Sequence, residues 1–225
     1  MTLYLRERAQ SLTERMDDPH CDEKKLARTY EQFATINALL SGWTEIYRRE
    51  LRPTLQAGAR TVLDIGCGGG DVLRHLAKLT HRDGLSAEFR GIDPDPRAIA
   101  FAQAQHNPAN LHFEKADLYT LPSGADILLS NHVLHHLTSD EIKTLCTACE
   151  RLASVRVIHN DLCRDDRALL LFPFVGGWFR HSFIFEDGMR SIQRAFTQKE
   201  LEKIVPPGWQ VTPSAPFRLQ LQWKA

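Results

Sequence analysis

The sequence predicts an α/β fold: one mixed sheet of seven strands with helices on both faces. Three observations carry this. Between residues 61 and 159, short apolar runs alternate with segments of helical period, the mark of a parallel sheet built from βαβ units. The first run, "TVLDI", empties directly into a glycine turn, "GCGGG". The last run, "FRLQLQW" at 217–223, alternates apolar and polar side chains, as a half-buried antiparallel strand of a mixed sheet does.

The elements follow in order. Residues 22–52 carry Leu26, Tyr30, Phe33, Ile36 and Leu40 at helical spacing, with a break expected at Gly42 and a stop at Pro53. Strand one is 61–65, and a helix follows at about 70–80 with Val72, Leu73, Leu76 and Leu79 on one face. Strand two covers roughly 87–92 and ends in "GID"; Asp95 then caps a helix that opens on Pro96. Strands three and four are expected at 111–115 and 125–130, the latter running into "SNHVLHHL". "TSDE" at 138–141 is a capping box in front of a stripe of Ile142, Leu145, Cys149 and Leu152, and strand five is 154–159. The series then changes. Residues 160–192 gather six aromatic residues and three glycines, too long for a plain connection, and read as an inserted substrate wall. A second capping box, "TQKE" at 197–200, opens a short helix, and tail strands follow at about 208–212 and 217–223. The expected organisation is a helical lid over 1–52 and a ligand-binding domain over 53–225.

Composition excludes several classes. Lys+Arg and Asp+Glu both number 28, so no net charge draws the chain to a nucleic acid or an anionic membrane. Five cysteines with no even framework fit a reducing compartment, and Cys146 and Cys149 read as two helix thiols rather than a metal or redox pair. The first twenty residues are charged throughout and lack the apolar core of a signal peptide. The apolar run 168–179 is interrupted by Pro173 and two glycines and is too short to span a bilayer. A cytoplasmic protein, monomeric or homodimeric, is the expectation.

A glycine turn between a strand and a helix lets a ligand touch main chain at the positive end of the helix dipole. The turn at 66–70 has no Lys-Ser or Lys-Thr after it, which removes a nucleotide-triphosphate loop. Gly66 and Gly68 fit the dinucleotide fingerprint, but its third glycine is Asp71 here, and Asp93 lies further on than its acidic residue should. A third reading comes from four motifs in order: "VLDIGCGGG", "GID", "KADL" and "SNHVLHHL". Over about 55–160 the chain resembles the class I S-adenosylmethionine-dependent methyltransferases, whose Rossmann-like sheet also ends in an antiparallel pair.

That resemblance implies S-adenosylmethionine as cofactor, and it implies roles. Asp64 and the turn Gly66–Cys67–Gly68 would lie along the methionine and ribose. Asp93, with Pro94 beside it, would accept the two ribose hydroxyls, and Asp117 would meet the adenine amino group. Ile92 and Leu118 would sandwich the ring, and Asn131 and His132 would stand near the sulfonium. Some members of the family bind Mg²⁺ through acidic residues ending strands four and five. Here strand five offers Asp161 but strand four offers Asn131 and His132, and "HVLHH" shows no ready tetrahedral partner set, so no metal is expected.

Methyl transfer to a phenol, of pKa about 10, gains from a base within reach. His135 and His181 are the candidates for that base, with Asp161 orienting one of them. The aromatic insert favours a flat, apolar acceptor, with Trp178, Phe179 and Phe183 as its wall and Tyr30, Phe33, Asn37 and His136 as further contacts. The segment "DGMRSIQRAFTQKEL" at 187–201 is similar to small-molecule methyltransferases of quinone and polyketide pathways, which implies O-methylation of a phenolic or quinol-type metabolite. Two alternatives stand beside it: a methyltransferase fold that only binds or assembles, and methylation of a macromolecule.

Overall fold

The computed structural model describes residues 5–225. Its first strand, β1 (Thr61–Ile65), pairs in parallel with β2 (Glu88–Asp93) and β4 (Ala125–Asn131); β3 (Leu111–Lys115) lies outside β2, and β5 (Ala153–Leu162) lies beyond β4. The tail supplies β6 (Gln210–Ser214) and β7 (Arg218–Lys224). β7 runs antiparallel between β5 and β6, which gives the order β3-β2-β1-β4-β5-β7-β6. The expected seven-stranded mixed sheet is present, with its strands within a few residues of the places read from the sequence.

Period-two side-chain alternation splits the strands between two cores. Val62, Phe89, Ile127, Leu129 and Ile158 face one side, against α2 (Trp43–Ile46), a π turn (Tyr47–Leu51), α3 (Arg52–Gln56), α4 (Asp71–Arg82) and α5 (Pro96–Ala104). Leu63, Ile92, Leu128, Val157 and Leu221 face the other, against α6 (Ser139–Leu152) and α9 (Gln198–Ile204). Cys146 and Cys149 are buried in that second core, and burial raises both thiols, Cys146 to about 12. Both capping boxes are closed: Thr138 with Glu141, and Thr197 with Glu200, each exchange bonds in both directions.

One expectation is corrected and two are filled in. The helix does not stop at Pro53 but runs to Gln56. The π turn over Tyr47–Leu51 has already widened the ladder, with Arg52 N–H bonding the Tyr47 carbonyl, and Pro53 falls in the first turn after it, where a missing N–H costs little. The insert is two helices, α7 (Asp166–Gly176) and α8 (Ile184–Arg194), and α7 passes through Pro173 before ending in the glycine pair. Finally, the helix read from residue 22 is α1 (Glu23–Leu40), capped by Asp22, and the described residues before it, 5–22, form a strap of turns.

The strap is fastened at many points. Arg8 donates to the carbonyls of Arg194, His135 and Leu137 and lies over the Phe196 ring, 3.5 Å from its centroid. Asp187 of α8 accepts the backbone N–H groups of Arg15 (2.6 Å) and Met16 (3.0 Å). Arg97 of α5 donates to the carbonyls of Met16 and Asp18. Together with α1, α7 and α8, the strap closes over the carboxyl ends of the strands. Among the described residues no helix is long and apolar enough to cross a membrane.

Candidate functional site

Strand order reverses between β1 and β4, and ligands of open α/β sheets bind in the crevice beyond the strand ends at such a point. The turn after β1 shows why glycine is required there. Gly66 has φ +67°, and a Cβ on it would stand 2.8 Å from Cγ2 of Val133. Gly68 has φ +52° with nothing within 4 Å of where its Cβ would be, so it faces open space. The N–H groups of Gly66 and Cys67 both bond the Ile92 carbonyl, at 2.9 and 3.0 Å, tying the turn to the end of β2.

A cavity of about 750 Å³ opens beside this turn. One end is lined by Asp64, the glycine turn, Ile92, Asp93 and Pro94, and continues to Asp117 and Leu118. Three carboxylates crowd it. Asp64 is 1 % exposed, and its Oδ1 is buried with no hydrogen-bond partner. Burial, reinforced by Asp71 and Asp93, lifts its carboxyl well above the usual range. Asp71 is raised too, chiefly by burial, although Asn37 donates to it at 2.9 Å. Asp93 holds the backbone: Oδ2 accepts from Gly68 N–H and Oδ1 from Asp95 N–H, both at 2.9 Å, and burial raises its carboxyl. Each oxygen keeps a further acceptor site. Among the described residues no Lys or Arg lines this end, although Arg74 stands behind the turn and donates to the Gly69 carbonyl; the lining itself offers acceptors, which suits a ligand carrying an ammonium group, a positive sulfur and a diol.

Asp117 is more peripheral. It is exposed, and its Oδ1 caps the short 3₁₀ turn Leu118–Thr120 through Tyr119 N–H at 2.9 Å. Cys67 lines the cavity, and burial drives its thiol far upward, which makes it a packed, inert side chain. Asn131 and His132 end β4 on the cavity wall, His132 with φ +62°. Both are held by Arg218 of β7, which sequence reasoning missed. Its guanidinium reaches Asn131 Oδ1 (3.0 Å), His132 Nε2 (3.1 Å) and Asn160 Oδ1 (3.1 Å). Burial lowers Arg218 to about 10, and burial with this cation beside it lowers His132 to about 3, so the imidazole is neutral.

The other end of the cavity is apolar. Tyr30, Phe33, Ile36 and Asn37 of α1 line it as expected from sequence. The opposite wall is Leu171, Phe172 and Val175 of α7 with Ile184 and Ile192 of α8. Trp178, Phe179 and Phe183 do not line the cavity. Helical period puts Ala168, Leu171, Phe172 and Val175 on the inner face of α7, while Leu170 and Phe174 point outward and Trp178, beyond the helix end, is 85 % exposed. Phe183 is core, packed with Leu26, Tyr30 and Ala98. His181 sits in the exposed turn between α7 and α8 with φ +60°, away from the cavity, and is not placed to act as its base.

His135 is at the cavity but is not a free base. It is 1 % exposed, with Nδ1 2.7 Å from Asp161 Oδ1 and Nε2 3.0 Å from Glu14 Oε1. Asp161 also accepts the His135 N–H through Oδ2 at 2.9 Å. Burial opposes a charge on the ring, yet Asp161 and then Glu14 outweigh it and raise His135 to about 9. The same contacts overcome burial in the carboxyls, taking Glu14 to about 2 and holding Asp161 below the usual range. Glu14 belongs to the strap, lies 121 residues from His135, and accepts Ser191 Oγ at 2.6 Å. No sequence pattern marks it. His136, on the cavity wall and 31 % exposed at its side chain, has Nε2 3.7 Å from Glu14 Oε1 and Nδ1 3.5 Å from Asp17 Oδ2.

Comparison with known proteins agrees with this geometry. Residues 62–154 match a family model described as a methyltransferase domain. The chain has the class I S-adenosylmethionine-dependent methyltransferase fold. Ajmaline N-methyltransferase of Rauvolfia serpentina is 29% identical over 122 residues, covering 49% of this chain and 40% of that protein. The match therefore spans less than half of the relative's length. The plantazolicin methyltransferase BpumL, solved with a monoazolic desmethylPZN analog and SAH, is 15% identical at TM-score 0.62, over 90% of this chain and 96% of the other. A SAM dependent methyltransferase from Aquifex aeolicus is 16% identical at TM-score 0.59, over 90% and 98%. Human N-acetylserotonin methyltransferase, in complex with SAM, is 14% identical at TM-score 0.52, over 88% and 57%.

Proposed function

We propose that this protein transfers a methyl group from S-adenosylmethionine to a small, flat, apolar metabolite, with O-methylation of a phenolic or quinol-type acceptor as the favoured reaction. One observation carries the proposal: a single cavity joins the carboxylate-lined cleft at the glycine turn to an apolar lobe walled by α1, α7 and α8. The relatives' names give ajmaline, plantazolicin and N-acetylserotonin, so they support a small-molecule acceptor in general, and the phenolic choice rests on the lobe itself.

Within the cleft, Asp64 and Asp71 would hold the amino-acid end of the cofactor, because an ammonium there relieves the unpartnered Asp64 Oδ1. Asp93 and Pro94 would hold the ribose, and Ile92, Asp117 and Leu118 the adenine. When bound, the cofactor supplies an activated methyl group on a positive sulfur. The chain's own contribution is alignment and exclusion of water. Arg218 fixes Asn131 and His132 at the end of β4, between cleft and lobe. Tyr30 and Phe33 face Phe172 and Val175 across the lobe and offer flat apolar surface to a ring. The polar end of the lobe is Glu14, His135 and His136, where the acceptor's reacting oxygen would be held, with Asp161 orienting His135 from behind.

The test is product mass after incubating the protein and S-adenosylmethionine with a panel of phenols, quinols and aromatic amines. A methylated phenol or quinol is the expected product. Methylated amines alone would overturn the O-methylation choice, and no product with any acceptor would favour a binding protein.

A further inference from the structure

We propose that Glu14, His135 and His136 form a binding site for a divalent first-row transition ion at the polar end of the acceptor lobe. The placement in an acceptor lobe rests on the methyltransferase reading; the donor geometry does not.

Three donor atoms converge. His135 Nε2 lies 3.0 Å from Glu14 Oε1, and His136 Nε2 lies 3.7 Å from the same oxygen. All three atoms fall within 4.8 Å of one another. Two ligands about 2.1 Å from one ion stand roughly 3.0–3.4 Å apart in octahedral or tetrahedral geometry, so the two histidine–Glu14 separations of 3.0 and 3.7 Å already lie within a few tenths of an ångström of that spacing, and the partly exposed His136 can turn to bring the two imidazoles together. Two imidazoles and one carboxylate on one side of an ion, with the other side open, is a donor set that zinc and iron(II) take in catalytic sites.

The groups behind the donors match as well. A ligating histidine gives its second ring N–H to a carboxylate, which fixes the tautomer and the ring. Asp161 does this for His135 at 2.7 Å, and Asp17 stands 3.5 Å from Nδ1 of His136. Ser191 Oγ donates to Glu14 at 2.6 Å. An ion triad of Glu14, His135 and Asp161 accounts for one histidine. It gives no reason for a second imidazole to approach the same Glu14 oxygen with a second carboxylate at its back. Charge is compatible: a divalent ion with two neutral imidazoles offsets the buried Glu14 and Asp161, and the third carboxylate, Asp17, is half exposed and solvated.

All three donors line the cavity, so the open positions face the lobe. There they would take a water or the acceptor's hydroxyl. On coordination the O–H bond breaks, its electron pair stays on the oxygen as the donor to the ion, and the proton passes to water. The ion would also staple the strap, through Glu14, to the loop after β4.

The test uses the full chain, treated with a chelator and dialysed, then titrated with Zn²⁺ by calorimetry and with Co²⁺ by visible absorption. One equivalent of Zn²⁺ and a Co²⁺ band of low-coordinate type are expected. Glu14→Ala and His136→Ala should each weaken binding at least about 100-fold, and Asp161→Asn by about 10–100-fold. His106→Ala, at an exposed histidine, should leave it unchanged. Glu14→Gln and His136→Gln preserve size and give the same reading if an alanine variant fails to fold. No Zn²⁺ binding, or binding that survives loss of both Glu14 and His136, overturns the site. S-adenosylhomocysteine affinity, measured on the same samples, separates the claims: its absence in the wild type defeats the methyltransferase reading and leaves the metal result standing.

Discussion

Asp187 is the strap's buried anchor, and its charge should carry a pH-dependent cost that an asparagine lacks. The side chain is 5 % exposed and accepts the N–H groups of Arg15 and Met16. Burial nevertheless outweighs those bonds and raises its carboxyl from 3.8 to about 6. The folded state thus favours the protonated form. The resulting penalty is absent below pH 3.8, grows as pH rises, and is complete above pH 6. From that shift the penalty is about half developed at pH 5 and full, on the order of 3 kcal/mol, at pH 7.5. Asp187→Asn keeps the shape and one acceptor but carries no charge. Its stability relative to the wild type should therefore rise by roughly 1 kcal/mol between pH 5 and 7.5, or a few degrees in Tm for a chain of this size. Urea unfolding of both chelator-treated proteins at the two pH values measures this. A difference that stays flat, or that shrinks as pH rises, would show that the two amides compensate the carboxylate in full and refute the reasoning.

Further predictions concern the cleft. Asp93→Ala removes the acceptor of Gly68 N–H and Asp95 N–H as well as the groups proposed for the ribose diol, and should weaken S-adenosylhomocysteine about 100-fold by calorimetry. Asp117→Ala, at an exposed turn cap, should cost less than about 10-fold in the same assay. Gly66→Ala combines φ +67° with a Cβ 2.8 Å from Val133, and should lower stability by about 1–3 kcal/mol in urea unfolding. Because Asp64 is raised well above the carboxylate range, binding of the cationic cofactor should draw off its proton. Calorimetry in buffers of different ionisation enthalpy should then show proton release with S-adenosylmethionine, smaller release with the uncharged sulfur of S-adenosylhomocysteine, and affinity for the former falling as pH is lowered.

Local signals made most of the fold legible. The βαβ rhythm, two capping boxes and the Asp95–Pro96 helix start each act within a few residues, and each lies where the pattern put it. The grouping at the glycine turn was legible for the same reason, since the turn and the strand ends bring Asp64, Gly68 and Asp93 to one end of the cavity through short connections. What stayed hidden depends on distance along the chain. Glu14 reaches His135 across 121 residues, and Arg218 reaches His132 across 86. Neither carries a mark beyond its charge. The aromatic insert misled because composition alone cannot say which side of a helix turns inward: Phe172 lines the lobe, while Phe174, two residues on, is 72 % exposed. His135 lines the cavity, but its engagement by Asp161 and Glu14 could not be read locally, because it depends on what holds its two nitrogens.

The most direct measurement is titration of S-adenosylhomocysteine into the wild-type chain by calorimetry. The glycine turn, the buried Asp64 and the Asp93 carboxylate predict one equivalent bound, and saturation that Asp93→Ala abolishes at the same concentrations. No heat of binding, or binding indifferent to Asp93, would contradict the assignment of this cleft to the methyl donor.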